Sequence, residues 1–446
     1  MERTTCCVVG GGPAGMVLGL LLARAGVEVT VLEKHGDFLR DFRGDTVHPS
    51  TLRLLDDLGL AERFAALPQR HVHSVQLPIG RDGDLFTVGD ISSLPGKYNY
   101  VAMVPQWDLL DLLADEAKRE PTFQLRMNTE VTSFLMERGR VTGVRYRDRV
   151  SGSTGELRAT LTVACDGRGS LARVLPELGL REFPCPMDVW WFRLPREERD
   201  PRGLVGNAGE RYLTAMIDRG DYWQCAALIP KGADDAWRAQ PLDQFLASFA
   251  EATPWIRQGV ADREPRPRSW DEIKLLDVRM DRLRRWHRPG LLCIGDAAHA
   301  MSPVFGIGIN LAVEDAVAAA RHLAGPLRRG TVGLADVRAI QNRRWPTAAG
   351  TQILQRIAHA RVIEPLLQGR SPALAGQPLR LTQVLTKAPW LKRGPAYFLA
   401  YGAGRERPPA AALRGAGGVP TRGQRGGGCT PPPPASAATE TTEPPR

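Results

Sequence analysis

Thr4-Thr5-Cys6-Cys7-Val8-Val9-Gly10-Gly11-Gly12-Pro13-Ala14-Gly15 is the stretch that decides the fold. Thr4 to Val9 is β-rich, and Pro13 to Ala25 is a Leu- and Ala-rich helical pattern ended by Gly26. Val27 to Leu32 returns to β-branched residues, so the chain opens as strand, turn, helix, strand. The turn matches G-x-G-x-x-G where that pattern has meaning, after a strand and at the start of a helix. Gly10 permits the tight turn, Gly12 lets the backbone approach a pyrophosphate, and Gly15 lets helix and strand pack closely. The helix that Pro13 and Ala14 open offers unpaired N–H groups and a partial positive charge to phosphates. Glu33 ends the second strand. Its carboxylate can accept hydrogen bonds from ribose hydroxyls and would repel a 2′-phosphate, so the expected dinucleotide is FAD or NAD.

Outward from this unit, leucines at helical spacing predict helices over 50–67 (Leu54, Leu55, Leu58) and 106–119 (Trp107, Leu110, Leu113). From about 180 to 275 the texture changes. Met187 to Leu194 and Tyr222 to Ile229 are aromatic, strand-like runs among polar loops, which predicts an antiparallel sheet in a second lobe. Gly290 to Ile294 is again a strand, an Ala-rich helix follows from about Asn310 to Leu323, and 338–370 is helical. From about Arg405 the composition collapses into Pro, Gly, Ala, Ser and Thr. Such a tail cannot bury enough apolar surface to offset its ordering entropy, so 405–446 is expected to be disordered.

Composition narrows the function. Lys plus Arg exceed Asp plus Glu by ten, which suits anionic ligands such as nucleotide phosphates. No zinc-finger spacing or RNA-binding aromatic box accompanies the charge, so no nucleic-acid partner is expected. Seven cysteines without C-x-x-C make no disulfide scaffold, and Cys6, Cys7, Cys165 and Cys293 read as small buried hydrophobes. No apolar stretch approaches the roughly 20 residues needed to span a bilayer, and a cytoplasmic protein is expected.

Two later segments choose between the dinucleotides. One is Leu161-Thr162-Val163-Ala164-Cys165-Asp166-Gly167-Arg168-Gly169-Ser170. The other is Gly295-Asp296-Ala297-Ala298-His299, followed by Pro303, Gly306, Gly308 and Asn310. With the first glycine turn they resemble the class A flavoprotein aromatic hydroxylases, the group that includes para-hydroxybenzoate hydroxylase. The resemblance covers roughly 300 residues. It implies FAD as the bound cofactor and NAD(P)H as a transient co-substrate. The implied fold is α/β: a doubly wound, Rossmann-like FAD-binding domain of the glutathione-reductase type, an inserted antiparallel β-sheet substrate domain, and C-terminal helices. The expected division is 1–75, 97–180 and 276–350 for FAD, 76–96 and 181–275 for the substrate lobe, 351–404 for C-terminal helices, then the tail.

Each segment makes chemical sense in that frame. The Asp296 carboxylate can meet a ribityl hydroxyl. The helix start after Pro303 to Asn310 aims N–H groups at the flavin pyrimidine edge, where reduced flavin carries negative charge. Gly306 and Gly308 permit close approach. Asp166-Gly167 is either a plain turn or, as the resemblance implies, a contact to FAD that also shapes the NAD(P)H path. Arg43 matches a family arginine near flavin and substrate, with Arg40 as its competitor. Gln106 matches a glutamine that contacts the cofactor, and Val131 a backbone contact at the adenine end. His299 reads as a packing or hydrogen-bonding residue. No Ser-His-Asp set or metal cluster is evident, and no catalytic side chain is assigned.

The resemblance implies that NAD(P)H reduces FAD, that O2 gives a C4a-hydroperoxide, and that one oxygen atom passes to an apolar substrate, aromatic or polyketide-like. No second G-x-G-x-x-G serves NAD(P)H, which fits. Trp190, Trp191, Phe192, Trp223 and Cys225 are candidate lobe residues, about half of which can face a pocket because strand side chains alternate. Three rivals stand beside this reading. An isoprenoid-type reductase would turn over without oxygen. A halogenase would carry Trp-x-Trp-x-Ile-Pro, whereas Trp223-Gln224-Cys225-Ala226-Ala227-Leu228-Ile229-Pro230 has one misplaced Trp. A non-catalytic FAD-binding protein would keep the same loops.

Overall fold

The computed structural model describes residues 2–369, Tyr397 and 406–413, apart from 40–45, 79–84, 93, 95, 199, 202, 209–212, 252, 254–262, 264 and 265. The opening strand Glu2–Val9 pairs in parallel with Val29–Leu32 on one side and with Thr154–Ala164 on the other. Phe123–Arg126 extends this sheet in parallel at one end; on the other side Leu291–Cys293 continues it in parallel and His287–Arg288 closes it as an antiparallel edge strand. A hairpin, Thr129–Glu137 with Arg140–Asp148, attaches to Thr154–Ala164 and completes an eight-stranded sheet. Helix Pro13–Arg24 is buried along most of its length, with Met16, Leu18, Leu20, Leu21 and Leu22 fully enclosed. It packs between the sheet and helices Gln106–Ala117 and Gly308–Arg329. Cys6, Cys7, Cys165 and Cys293 are buried and unpaired, as their apolar neighbourhoods predict.

A second, seven-stranded sheet has the order Lys274–Leu276, Met187–Pro195, Tyr222–Pro230, Leu213–Asp218, Leu204–Ala208, Ser74–Pro78, Leu85–Asp90. All neighbours are antiparallel except Leu204–Ala208 with Ser74–Pro78. One face is covered by helix Leu242–Glu251, whose Phe245, Leu246 and Phe249 are buried against it.

Two expectations need correcting. The helix over 50–67 is two helices, Pro49–Asp57 and Ala61–Ala65. Gly59 adopts φ 72°, and Leu60 N donates to Leu55 O at 2.8 Å, a left-handed helix stop that the leucine spacing conceals. The tail expected from 405 does not begin there. Residues 406–413 pack: Ala412 is buried in the core beside helix Pro13–Arg24, and Glu406 pairs with Arg343 and Arg344. A small residue and one well-placed carboxylate suffice for this, although the composition is tail-like. The rest of that tail, 414–446, lies outside the described residues, as does 370–405 except Tyr397. No helix among the described residues is long and apolar enough to cross a membrane.

Candidate active site

Strand register brings the motifs together. Val9 lies opposite both Leu32 and Ala164, and Ala164 lies opposite Cys293. Gly10, Glu33, Cys165 and Ile294 therefore leave the parallel sheet at one level, its carboxyl edge. From Glu2–Val9 the chain winds to Val29–Leu32 on one side, then to Thr154–Ala164 on the other. In open α/β sheets, the crevice where the winding reverses is where ligands bind.

The glycines there answer to different constraints. Gly10 has φ 101°, and a Cβ would lie 2.7 Å from both Cys165 O and Asp166 Cα. A Cβ on Gly15 would lie 2.0 Å from Gly10 O. At Gly12 a Cβ would meet nothing within 4 Å, so this side of the turn is open. Helix Pro13–Arg24 begins there with no side-chain cap, Pro13 and Ala14 forming its first turn. Gly295, at φ 59°, has room for a Cβ only 3.3 Å from that of Ala14 and 3.2 Å from that of Ala312, so it draws two helix starts together.

Glu33 is 7% exposed and accepts from Gly11 N (2.8 Å) and His35 N (3.0 Å), one on each carboxylate oxygen. Those bonds fix its side chain at the turn. Glu33 O accepts from Thr129 N at 2.7 Å, which brings the strand of Val131 alongside. Val131 is half-buried against Cys7, Val9 and Leu32. Gln106 is half-buried in the first turn of its helix, which also lacks a side-chain cap. Arg43 and Arg40 lie outside the described residues.

Asp166 carries the least satisfied group at the crevice. Its Oδ1 is buried with no hydrogen-bond partner, and burial pushes its carboxyl above the usual range. Gly167 follows at φ 76° and opens a short 3-10 turn. Burial likewise raises Asp296, whose carbonyl accepts from Arg173 at 2.7 Å. Arg168 is tied to Asp277 O at 2.8 Å, and the Ser170 hydroxyl accepts from Ala172 N. An unpartnered carboxylate oxygen, an open glycine and an uncapped helix start fit a nucleotide whose hydroxyls donate and whose phosphates accept.

The loop into helix Gly308–Arg329 is pinned at both ends. Gly306, at φ 62°, accepts on its carbonyl from the Thr46 hydroxyl (2.7 Å), and a Cβ would lie 3.0 Å from that oxygen. At the other end the Gln355 amide accepts from Ser302 N (3.2 Å) and donates to Ser302 O and Val304 O (2.9 Å each). His359 pairs with the Ser302 hydroxyl at 2.8 Å. Between the pins Pro303 enters the turn, while Phe305, 42% exposed, is held at φ 73°. The Asn310 amide is turned inward. It accepts from His48 N and the Thr51 hydroxyl and donates to Thr46 O. Its side chain thus holds the 46–51 segment. His299 Nε2 donates to the Asp315 carboxylate (Oδ2, 2.6 Å), and its ring lies 4.8 Å from that of Trp286. Thr46, Ser302, Gln355 and His359 escaped sequence reasoning. The available signal was the polar stripe Gln352, Gln355, His359 on one helix face.

The second sheet presents its other face to this loop. Trp190, Phe192, Trp223 and Cys225 point toward helix Leu242–Glu251 and form a core with it. Of the five candidate lobe residues only Trp191 points the other way, into a cluster that contains Ala226, Leu228 and Val304 of the loop.

Comparison with known proteins agrees. Residues 3–350 match the FAD binding domain family. The chain is 33% identical over 358 residues to 6-methylpretetramide 4-monooxygenase of Streptomyces rimosus, covering 79% of this chain and 84% of that one. It is 28% identical to 12-dehydrotetracycline 5-monooxygenase/anhydrotetracycline 6-monooxygenase of Streptomyces rimosus subsp. rimosus, covering 81% and 70%. The myxobacterial chondrochloren halogenase shares the fold at TM-score 0.72 and 19% identity, covering 87% of this chain and 90% of that one. The chain belongs to the FAD binding domain family, among the class A flavoprotein monooxygenases. It is an oxidoreductase that works with FAD, NAD(P)H and O2 on a small molecule.

Proposed function

We propose that the chain hydroxylates or epoxidises an apolar, fused-ring aromatic or polyketide-like compound. The observation that carries this is the apolar sheet face closing on the pinned loop beside the crevice of Gly10 and Asp166. The tetracycline-type names of the two relatives support the same substrate class. When bound, FAD would supply the oxygen chemistry, with NAD(P)H as the reductant and O2 as the oxidant, one oxygen atom going to the substrate and the other to water.

The residues divide the work. Gly10, Gly12, Pro13, Ala14 and Gly15 take the pyrophosphate, Glu33 and Val131 the adenosine end, and Asp166, Gly167, Gly295 and Asp296 the ribityl side. Pro303, Gly306 and Gly308 border the ring, with Asn310 holding their segment. Gln106 completes the shell among the described residues. Segments 1–75, 97–180 and 276–350 form the FAD part, and 76–96 and 181–275 the substrate lobe. The buried, unpaired cysteines favour a reducing compartment such as the cytoplasm.

The test is purification with FAD, measured by flavin absorbance, then a screen of fused-ring aromatics for stimulated NAD(P)H oxidation and an oxygenated product. A protein that cannot be loaded with FAD overturns the reading. FAD reduction without oxygenated product from any compound moves the chain to the reductase class.

A further inference from the structure

Four arginines are buried among the described residues, and three of them hold a carboxylate. Arg173 pairs with Asp281, Arg263 with Asp200, and Arg344 with Glu314 and Asp315. Arg282, 9% exposed, has no such partner among the described residues. Its guanidinium makes one hydrogen bond there, from Nη1 to the Gln352 amide oxygen at 2.9 Å. Burial and the neighbouring charge of Arg181 both push it below the usual arginine range. A buried charge without a counter-charge is costly.

The surroundings add positive charge instead of removing it. Strand Leu180–Phe183 pairs antiparallel with Met280–Leu283, and the register sets Arg181 directly opposite Arg282. Like charges directly opposite destabilise a ladder. The carboxylates of this ladder, Glu182 and Asp281, take the alternate positions and so the other face. Helix Leu334–Ala358 adds Arg356. The guanidiniums of Arg181, Arg282 and Arg356 lie 5.2, 5.6 and 5.2 Å from the centroid of the Phe183 ring, and Arg282 lies 4.7 Å from that of Trp345. Among the described residues neither Arg181 nor Arg356 pairs with a carboxylate, and segment 370–405 contains no Asp or Glu. Attraction to the two rings holds the three cations together without neutralising them. Trp345 is 40% exposed, so the cluster reaches the surface.

We propose that Arg181, Arg282 and Arg356 form a binding site for a phosphate group, separate from the turn Gly10 to Gly15. Guanidinium forks match phosphate oxygens, and a bound phosphate supplies the counter-charge that this chain withholds. Gln352 ties the site to the loop that enters helix Gly308–Arg329. Its amide donates to Asp281 O (2.8 Å) and Ala300 O (3.0 Å), which fixes the oxygen that holds Arg282. Two sources carry the group, free phosphate and the phosphates of the nicotinamide dinucleotide, and their chemistry at the arginines is the same. The site does not depend on which compound is oxygenated.

The test titrates FAD-loaded protein with inorganic phosphate by calorimetry and follows its melting temperature. Wild type is expected to show a saturable site and a melting temperature that rises with phosphate. Arg181→Gln and Arg356→Gln, both at exposed positions, should each weaken phosphate about tenfold. Without phosphate, Arg181→Gln should melt no lower than wild type, because it removes a like-charge pair. Dependence on these two arginines separates the site from the turn Gly10 to Gly15. NADP+ and NAD+ then compete with phosphate. Displacement by NADP+ alone assigns the site to the 2′-phosphate, displacement by both to the shared pyrophosphate, and displacement by neither to free phosphate. A wild type without a saturable site overturns the proposal. So does phosphate affinity that is unchanged in both variants.

Discussion

Gly10 and Gly12 stand two residues apart in one turn, yet the structure asks different things of them. Gly10 needs φ 101° and the absence of a Cβ because Asp166 lies against it. Gly12 borders open space. Gly10→Ala should cost about 3 kcal/mol of apoprotein stability and abolish FAD binding. Gly12→Ala should leave apoprotein stability within about 0.5 kcal/mol and weaken FAD by tenfold or more. Denaturant melts and FAD titration separate the two. Asp166 gives the complementary case. Burial raises its carboxyl, so its folded value lies above the unfolded one and apoprotein stability declines as pH rises from about 4. Asp166→Asn should therefore stabilise the apoprotein at neutral pH by about 1 kcal/mol while weakening FAD. Melting apo and FAD-loaded forms of both proteins checks the sign. The glycine spacing and Glu33 were legible in the sequence because a backbone approach demands particular residue types. The inward turn of Asn310 was not, because its partners His48 and Thr51 are about 260 residues away and form no motif with it.

At the scale of elements, the two long C-terminal helices lock the loop that enters helix Gly308–Arg329. Asp315 on helix Gly308–Arg329 bridges His299 and Arg344, and Arg344 also holds Glu314 and Glu406. Burial alone would raise Asp315, but His299 and Arg344 outweigh it and hold the carboxyl at about 2. Its stabilising contribution is complete above about 4 and is lost as pH falls toward 2. Asp315→Asn should cost about 3 kcal/mol at neutral pH and remove that component from the acid limb of the stability profile. Gln355→Leu strands Ser302 O and Val304 O, and should lower stability by about 2 kcal/mol while slowing FAD reduction. Stopped-flow reduction together with thermal melts tests both effects. The strand run Met187 to Leu194 was readable as a strand, but not which face Trp190 and Trp191 each take. Two adjacent tryptophans satisfy either register, and only the partner helix Leu242–Glu251 breaks the tie.

For the whole molecule, the chain from the first strand to Leu413 forms one compact unit. Composition placed the start of a tail at 405, whereas Glu406 and Ala412 are built into the fold. Composition averages over a window and misses two residues that each fill one site. A chain ending at Leu413 should melt within about 1 °C of the full-length protein, and one ending at Arg405 should lose about 2 kcal/mol by freeing the Arg343 and Arg344 guanidiniums from Glu406. FAD content and thermal melts of the two truncations distinguish these outcomes. The fold class was legible from three short segments because each sits where the parallel sheet ends. The substrate was not, because the lobe surface proposed to meet it is built by register between strands far apart in sequence.

The central claim is oxygen insertion by a bound flavin, and isotope labelling tests it most directly. The FAD-loaded enzyme, supplied with NAD(P)H and a fused-ring aromatic that stimulates its oxidation, is run under 18O2 and the product is weighed. The account predicts one 18O atom per product molecule. A product that carries only water-derived oxygen, or that gains hydrogen and no oxygen, would contradict it.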